Sequence, residues 1–135
     1  MRVNELMTSD PVHVTPSTPI SSVLDMLMEN DFRHLPIVEN GSLVGIVSDR
    51  DLRPFQATAW AQSGDWEEFT ARLAQPVSAL MNGAVVCVDE QAELDDLVHT
   101  MIEERVGAIP VTRGPDQLLV GIVSYVDVLR TMTPD

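Results

Sequence analysis

A chain of 135 residues is long enough for one compact domain or two small packed repeats, and 44% hydrophobic residues suffice to fill a core. Eight basic residues, all arginine, against 21 acidic ones leave a net charge of −13, which argues against nucleic acid and anionic membranes as partners because phosphate surfaces need a basic face. Apolar runs such as Leu43 to Val47 fall far short of the ~20 residues of a membrane span, the first residues lack the basic stretch and apolar core of a secretory signal, and the single Cys87 suits a reducing cytoplasm.

In chain order, a short strand over Val12–Val14 precedes a helix with Thr18 as its N-cap and Pro19 as its first residue. Ile20, Val23, Leu24, Leu27 and Met28 then recur at the spacing of one buried helical face. A strand at Leu35–Val38, a turn at Glu39-Asn40-Gly41 and a second strand at Leu43–Val47 follow, and Pro54 cuts short the closing helix. Residues 55–75 contain Trp60 and then Trp66, Phe69 and Leu73 at helical spacing. That helix either packs over the core of the repeats or docks a partner or a second copy.

The same succession then returns. A strand over Val85–Val88 leads to a helix with Leu94, Leu97, Val98, Met101 and Ile102 on one face. Strands at Ala108–Thr112 and Leu118–Val123 flank the turn Arg113-Gly114-Pro115-Asp116, and a helix over about Tyr125 to Met132 closes the unit. The hexapeptide Leu-Val-Gly-Ile-Val-Ser occurs at 43–48 and again, unchanged, at 119–124. The register holds upstream at an offset of 74 (Met7 to Met81, Val14 to Val88, Pro36 to Pro110) and becomes 76 beyond the second turn (Gly45 to Gly121, Asp51 to Asp127). The organisation is thus a first repeat over 1–54, a segment over 55–75 and a second repeat over 76–135, each repeat β-α-β-β-α in an α+β (mixed α/β) fold.

Each hexapeptide opens into a Ser-x-x-Asp segment: Gly45-Ile46-Val47-Ser48-Asp49-Arg50-Asp51 and Gly121-Ile122-Val123-Ser124-Tyr125-Val126-Asp127. Across nearly the whole chain outside the middle segment, the repeats resemble those of the CBS (cystathionine-beta-synthase-type) domain family, which carry Gly-h-h-(Ser/Thr)-x-x-Asp between the last strand and the last helix. Arg33-His34-Leu35-Pro36-Ile37-Val38 and Ser48-Asp49-Arg50-Asp51-Leu52-Arg53 are most similar to stand-alone bacterial CBS pairs of the acetoin-utilisation type, and similar also to the regulatory insert of inosine monophosphate dehydrogenase.

The resemblance implies two tandem CBS repeats packed as a pseudo-twofold pair, with clefts that bind an adenosyl ligand: AMP, ADP or ATP foremost, with NAD or S-adenosylmethionine as further candidates. It implies ligand contacts from Thr18, Phe32, Arg33, His34, Ile46, Ser48, Arg50, Asp51, Val106, Gly107, Ala108, Ile122, Ser124 and Asp127. A homodimer, a regulated protein partner and no catalytic cofactor are expected beside this, and the single Cys87 points to a cytoplasmic location.

Physical chemistry supports these roles. A carboxylate accepts hydrogen bonds from the paired hydroxyls of a ribose, a nearby hydroxyl suits a phosphate, and the planar fork of Arg33 makes strong charge-assisted bonds to phosphate oxygens. Gly107 and Ala108 are small enough for an adenine ring to lie flat. Each residue has a plainer reading as well. Asp51 and Asp127 favour a helix N-terminus in any case, Ser48 and Ser124 are able to bond backbone, and His34 sits beside Pro36 as a packed surface side chain would. His13, His99 and Cys87 show no metal-ligand spacing. No nucleophile–base pair, zinc triad or phosphate-binding glycine loop occurs, so the readings are a ligand sensor or a ligand-free interaction scaffold with the same fold, ahead of an enzyme.

Overall fold

The computed structural model describes residues 1–30, 32–56, 61–62, 64–81 and 85–133; Trp60, expected beside the middle helix, lies outside them. The chain divides into two compact units, neither of them contiguous. His13–Glu39 and Val44–Gly83 form the unit built on the first repeat; Met1–Val12, Asn40–Leu43 and Ala84–Asp135 form the unit built on the second. The segment that leads each sequence repeat therefore belongs to the other repeat's unit.

In the first unit, α1 (Ile20–Asn30) buries Ile20, Val23 and Leu27. Thr18 does not cap it. The Thr18 Oγ1 accepts the Thr15 N–H and meets the Thr15 hydroxyl, each at 3.1 Å, and so closes a local turn ahead of the helix. The helix start is held instead by residues 75–77: the Ile20 N–H donates to the Gln75 carbonyl at 2.9 Å, and the Thr18 carbonyl accepts the Val77 N–H at 2.7 Å. Met28, expected on the buried face, is 79% exposed. At about 100° per residue it stands roughly 100° from the centre of the Ile20–Val23–Leu27 stripe, and Met26 packs on the core from the Val23 side.

Strands β2 (His34–Glu39) and β3 (Ser42–Ser48) form a hairpin through Asn40 and Gly41, whose φ values of +53° and +84° suit a tight two-residue turn. Val14 bridges Ile37 in parallel, with its N–H on the Pro36 carbonyl at 3.0 Å and its carbonyl accepting the Val38 N–H at 2.8 Å. The closing helix of this repeat is reduced to a single 3-10 turn, Arg53–Phe55, with Pro54 inside it. Helix α2 (Trp66–Leu73) is capped by Asp65, which accepts the Glu68 N–H at 3.0 Å. Phe69 is buried, Leu73 packs against the core, and the Arg72 guanidinium lies 5.2 Å over the Phe55 ring, so α2 covers the core of this unit while Trp66 stays 57% exposed.

The second unit repeats the plan. Strand β1 (Thr8–Ser9) and β5 (Ala108–Arg113) both pair antiparallel with β6 (Leu118–Ser124), and β4 (Val88–Asp89) pairs parallel with β5 through Val88 and Val111, the counterparts of Val14 and Ile37. The hairpin tip enters here, with Ser42 opposite Leu118 and the Leu43 N–H on the Gln117 carbonyl at 2.9 Å. Helix α3 (Leu94–Glu104) begins in a Glu93–Asp96 capping box, and its start is again held by a leading segment: Leu94 N–H to the Met1 carbonyl and Val3 N–H to the Ala92 carbonyl, both 2.9 Å. Ile102, the counterpart of Met28, is likewise exposed, at 68%, for the same angular reason. Helix α4 (Tyr125–Arg130) ends two residues before Met132. Each buried residue of this core has a buried counterpart in the first: Val3 with Val77, Val88 with Val14, Leu97 with Val23, Ile109 with Leu35, Val111 with Ile37 and Val123 with Val47.

Candidate functional site

The candidate residues gather at the open end of each hairpin. In the first unit the Asp49 N–H donates to the Arg33 carbonyl at 2.9 Å, which fixes the start of β2 beside the turn that leaves β3. Arg33, His34, Ser48, Arg50 and Asp51 are thereby brought to one end, with Arg33, Arg50 and Asp51 exposed and His34 and Ser48 partly buried. Phe32, 36% exposed, leads into this end, and Ile46 lies partly buried two positions back along β3. In the second unit the Tyr125 N–H donates to the Gly107 carbonyl at 2.9 Å, the same bond at the same repeat position. It gathers Val106, Gly107, Ala108, Ser124 and Asp127, with Ala108 directly opposite Ser124 and Ile122 along β6. Thr18 belongs to the separate turn with Thr15.

Serine and aspartate engage each other identically at both ends. One Asp51 oxygen, Oδ2, accepts the Ser48 N–H at 2.9 Å and the Ser48 hydroxyl at 3.0 Å, while the Asp51 N–H reaches the Ser48 Oγ at 3.3 Å. For Ser124 and Asp127 the three distances are 2.8, 3.2 and 3.4 Å. At Ser124–Asp127 these reciprocal bonds are the capping box of α4, so the plainer reading holds for Asp127 as far as it goes, whereas at Ser48–Asp51 the same bonds close a turn ahead of Arg53–Phe55. They leave Oδ1 of each aspartate with no hydrogen bond among the described residues, and a carboxylate oxygen accepts two. Each end therefore presents a pinned carboxylate with one oxygen open, suited to hydroxyl donors. The serine hydroxyl proton is already committed to the aspartate, which weakens its case as a phosphate donor.

His34 carries a displaced titration. Burial lowers its pKa below the ordinary imidazole value near 6.5, Asp49 and Asp51 oppose the shift, and the Arg33 charge adds to it, so the ring is neutral at pH 7. Two neighbours were not singled out from the sequence: Asp49, whose charge reaches His34, and Tyr125, whose ring lies against Gly107. Both occupy the position after the repeat serine, and the contrast of a carboxylate with an aromatic ring at one repeat position was the available signal. Among the described residues, no three His, Cys, Asp or Glu side chains are grouped to hold a metal ion, and no helix is long and apolar enough to cross a membrane.

The uncharacterized protein MJ1225 of Methanocaldococcus jannaschii is 29% identical over 127 residues, covering 90% of this chain and 45% of that protein. Its crystal structure superposes with a TM-score of 0.84 at 25% identity, over 98% of this chain and 48% of that one. A structure of a protein described as an acetoin utilization protein (AcuB) of Vibrio cholerae matches at 29% identity and a TM-score of 0.77, covering 98% and 90% of the two chains. CBSX2, a chloroplastic CBS domain-containing protein of Arabidopsis thaliana, has been crystallised in complex with AMP; that structure is 27% identical, with a TM-score of 0.79 and coverage of 97% and 95%. The chain spans only about a third to two thirds of the first curated relatives it matches. The family model for the CBS domain matches twice, over residues 3–57 and 77–133, each match ending just past one Ser-x-x-Asp turn, and the chain belongs to the CBS-domain family.

Proposed function

We propose that this chain is a non-catalytic regulatory module that binds an adenosyl ligand, with AMP, ADP or ATP the foremost candidates and NAD or S-adenosylmethionine further ones. The observation that carries the reading is the recurrence of one device at two hairpin ends: a carboxylate pinned through Oδ2 with Oδ1 left open. A capping box needs only the pinned oxygen, and an open oxygen with two lone pairs suits the vicinal hydroxyls of a ribose. Arg33 and Arg50 supply local positive charge on a chain of net charge −13, which suits a phosphate. The AMP complex of CBSX2 adds support by similarity. A homodimer as the working form is part of the same reading, and similarity to CBS pairs is what supports it.

A ligand-free scaffold is the second reading, favoured by the serine and aspartate already satisfying each other. A melting panel on ligand-stripped protein separates the two. A ligand that binds only the folded chain adds about 2.7 kcal/mol at roughly 100 times its Kd, which raises the Tm of a chain this size by about 10 °C. A shift with at least one of AMP, ADP, ATP, NAD or S-adenosylmethionine is expected; none with any of them rejects the sensor in favour of the scaffold.

A further inference from the structure

The inference here rests on the reading of the hairpin ends as adenosyl-binding elements. We propose that the two ends differ in ligand chemistry: the end at Ser48–Asp51 takes a phosphate-bearing nucleotide, and the end at Ser124–Asp127 takes an uncharged nucleoside-type compound.

Repeat equivalence makes the comparison residue by residue. Where the first end has Arg33 and His34, the second has Gly107 and Ala108; where the first has Asp49, Arg50 and Arg53, the second has Tyr125, Val126 and Leu129. The backbone frame is the same in both, since the Asp49 N–H bonds the Arg33 carbonyl and the Tyr125 N–H bonds the Gly107 carbonyl, each at 2.9 Å. The aspartate is pinned the same way in both as well. Only the side chains around that frame change. At the first end Arg33, Arg50 and Arg53 bring three positive charges against the two of Asp49 and Asp51, a local cationic excess suited to phosphate on an acidic chain. At the second end the Tyr125 ring spreads against Gly107, where an added Cβ would stand 3.4 Å from Tyr125 Cδ1 and 3.7 Å from Cε1. Tyr125, Val126 and Leu129 are 52%, 39% and 52% exposed, an aromatic and aliphatic surface beside a carboxylate oxygen that still accepts hydroxyls. Such a surface pairs a planar ring and a sugar and gives a phosphate little compensation. The cations nearest in sequence are Arg105, at the α3 C-cap two residues before Gly107, and Arg130, in the last turn of α4 three residues past Asp127.

Calorimetry on the ligand-stripped full chain with two probes, AMP and adenosine, tests this. The exposed Arg33→Gln variant is expected to weaken AMP binding by about 10- to 100-fold and adenosine binding by less than about twofold, the size of one lost charge-assisted contact. Gly107→Arg combined with Ala108→His is expected to add a second AMP site of comparable affinity; Gly107 lies outside the left-handed region, so its backbone accepts a side chain. Melting curves confirm that each variant is folded. The proposal alone is overturned if both probes bind but Arg33→Gln weakens them equally, or if tight AMP binding survives Arg33→Gln and is lost in Asp127→Asn, which would put the phosphate near Arg105. If neither probe binds the unmodified chain, the adenosyl reading itself falls, and this proposal with it.

Discussion

Replacing either glycine of the duplicated hexapeptide by alanine is the same sequence change in the same six letters, yet the structure predicts unequal outcomes. At Gly121 an added Cβ would collide with the Met7 sulfur, stand 2.9 Å from Met7 Cγ and stand 3.0 Å from the Thr8 carbonyl oxygen. A methionine side chain is able to swing aside, but the Thr8 carbonyl is part of β1, which pairs with β6 through Thr8–Ile122 and Ser9–Gly121. Relief requires β1 to move, and overpacking of that kind costs about 1–3 kcal/mol. At Gly45 the nearest described atoms are Met81 Cγ at 3.2 Å and Ile37 Cδ1 at 3.4 Å, both on side chains. A shift of a few tenths of an ångström accommodates them, and removing a strand glycine recovers about 0.5–1 kcal/mol of backbone entropy. Gly121→Ala should therefore lower Tm by roughly 4–10 °C, and Gly45→Ala should stay within about 1 kcal/mol of the parent. Urea unfolding of the two variants beside the parent measures the difference. Equal destabilisation, or a neutral Gly121→Ala, refutes the claim that β1 seals this side of β6.

Two further outcomes follow from the hairpin ends. Asp127→Ala removes the acceptor for the Ser124 N–H and hydroxyl and should cost about 0.5–2 kcal/mol without ligand, whereas Asp127→Asn keeps an acceptor and should cost less, as denaturant midpoints would reveal. Because the folded-state pKa of His34 lies below 6.5, its contribution to stability is fully present above that pH and is lost as pH falls through the lowered folded-state value. Unfolding midpoints from pH 7.5 downward should decline less steeply in His34→Gln than in the parent, and identical slopes would contradict the assignment.

The repeat offset carried more of the fold than any propensity argument. It equates Val14 with Val88 and Ile37 with Val111, and the structure places both pairs in the same parallel contact. It extends even to single hydrogen bonds, since Ile20 to Gln75 and Leu94 to Met1 are one bond seen twice. Those same bonds mark what was not legible. Periodicity says that a segment has an apolar residue such as Val3 or Val77, but not which repeat's core receives it, and the leading segments enter the units of opposite repeats. Met28 and Ile102 read as core because eight residues bring a helix back only approximately, and the remaining angle puts both in solvent. Thr18 read as a cap because its residue type is right, but Thr15, three residues earlier, competes for its hydroxyl. At the candidate site, the Ser-x-x-Asp motif indicated the place, while the division of Asp51 into a committed and an open oxygen required the geometry.

The adenosyl-binding claim is tested most directly by following backbone amide resonances of the ligand-stripped chain during titration with AMP. Saturable shifts at residues 33–34 and 48–51, with Asp51→Asn weakening them, are the predicted result. Amides that stay unmoved there at millimolar AMP, or shifts confined to other parts of the chain, would contradict it.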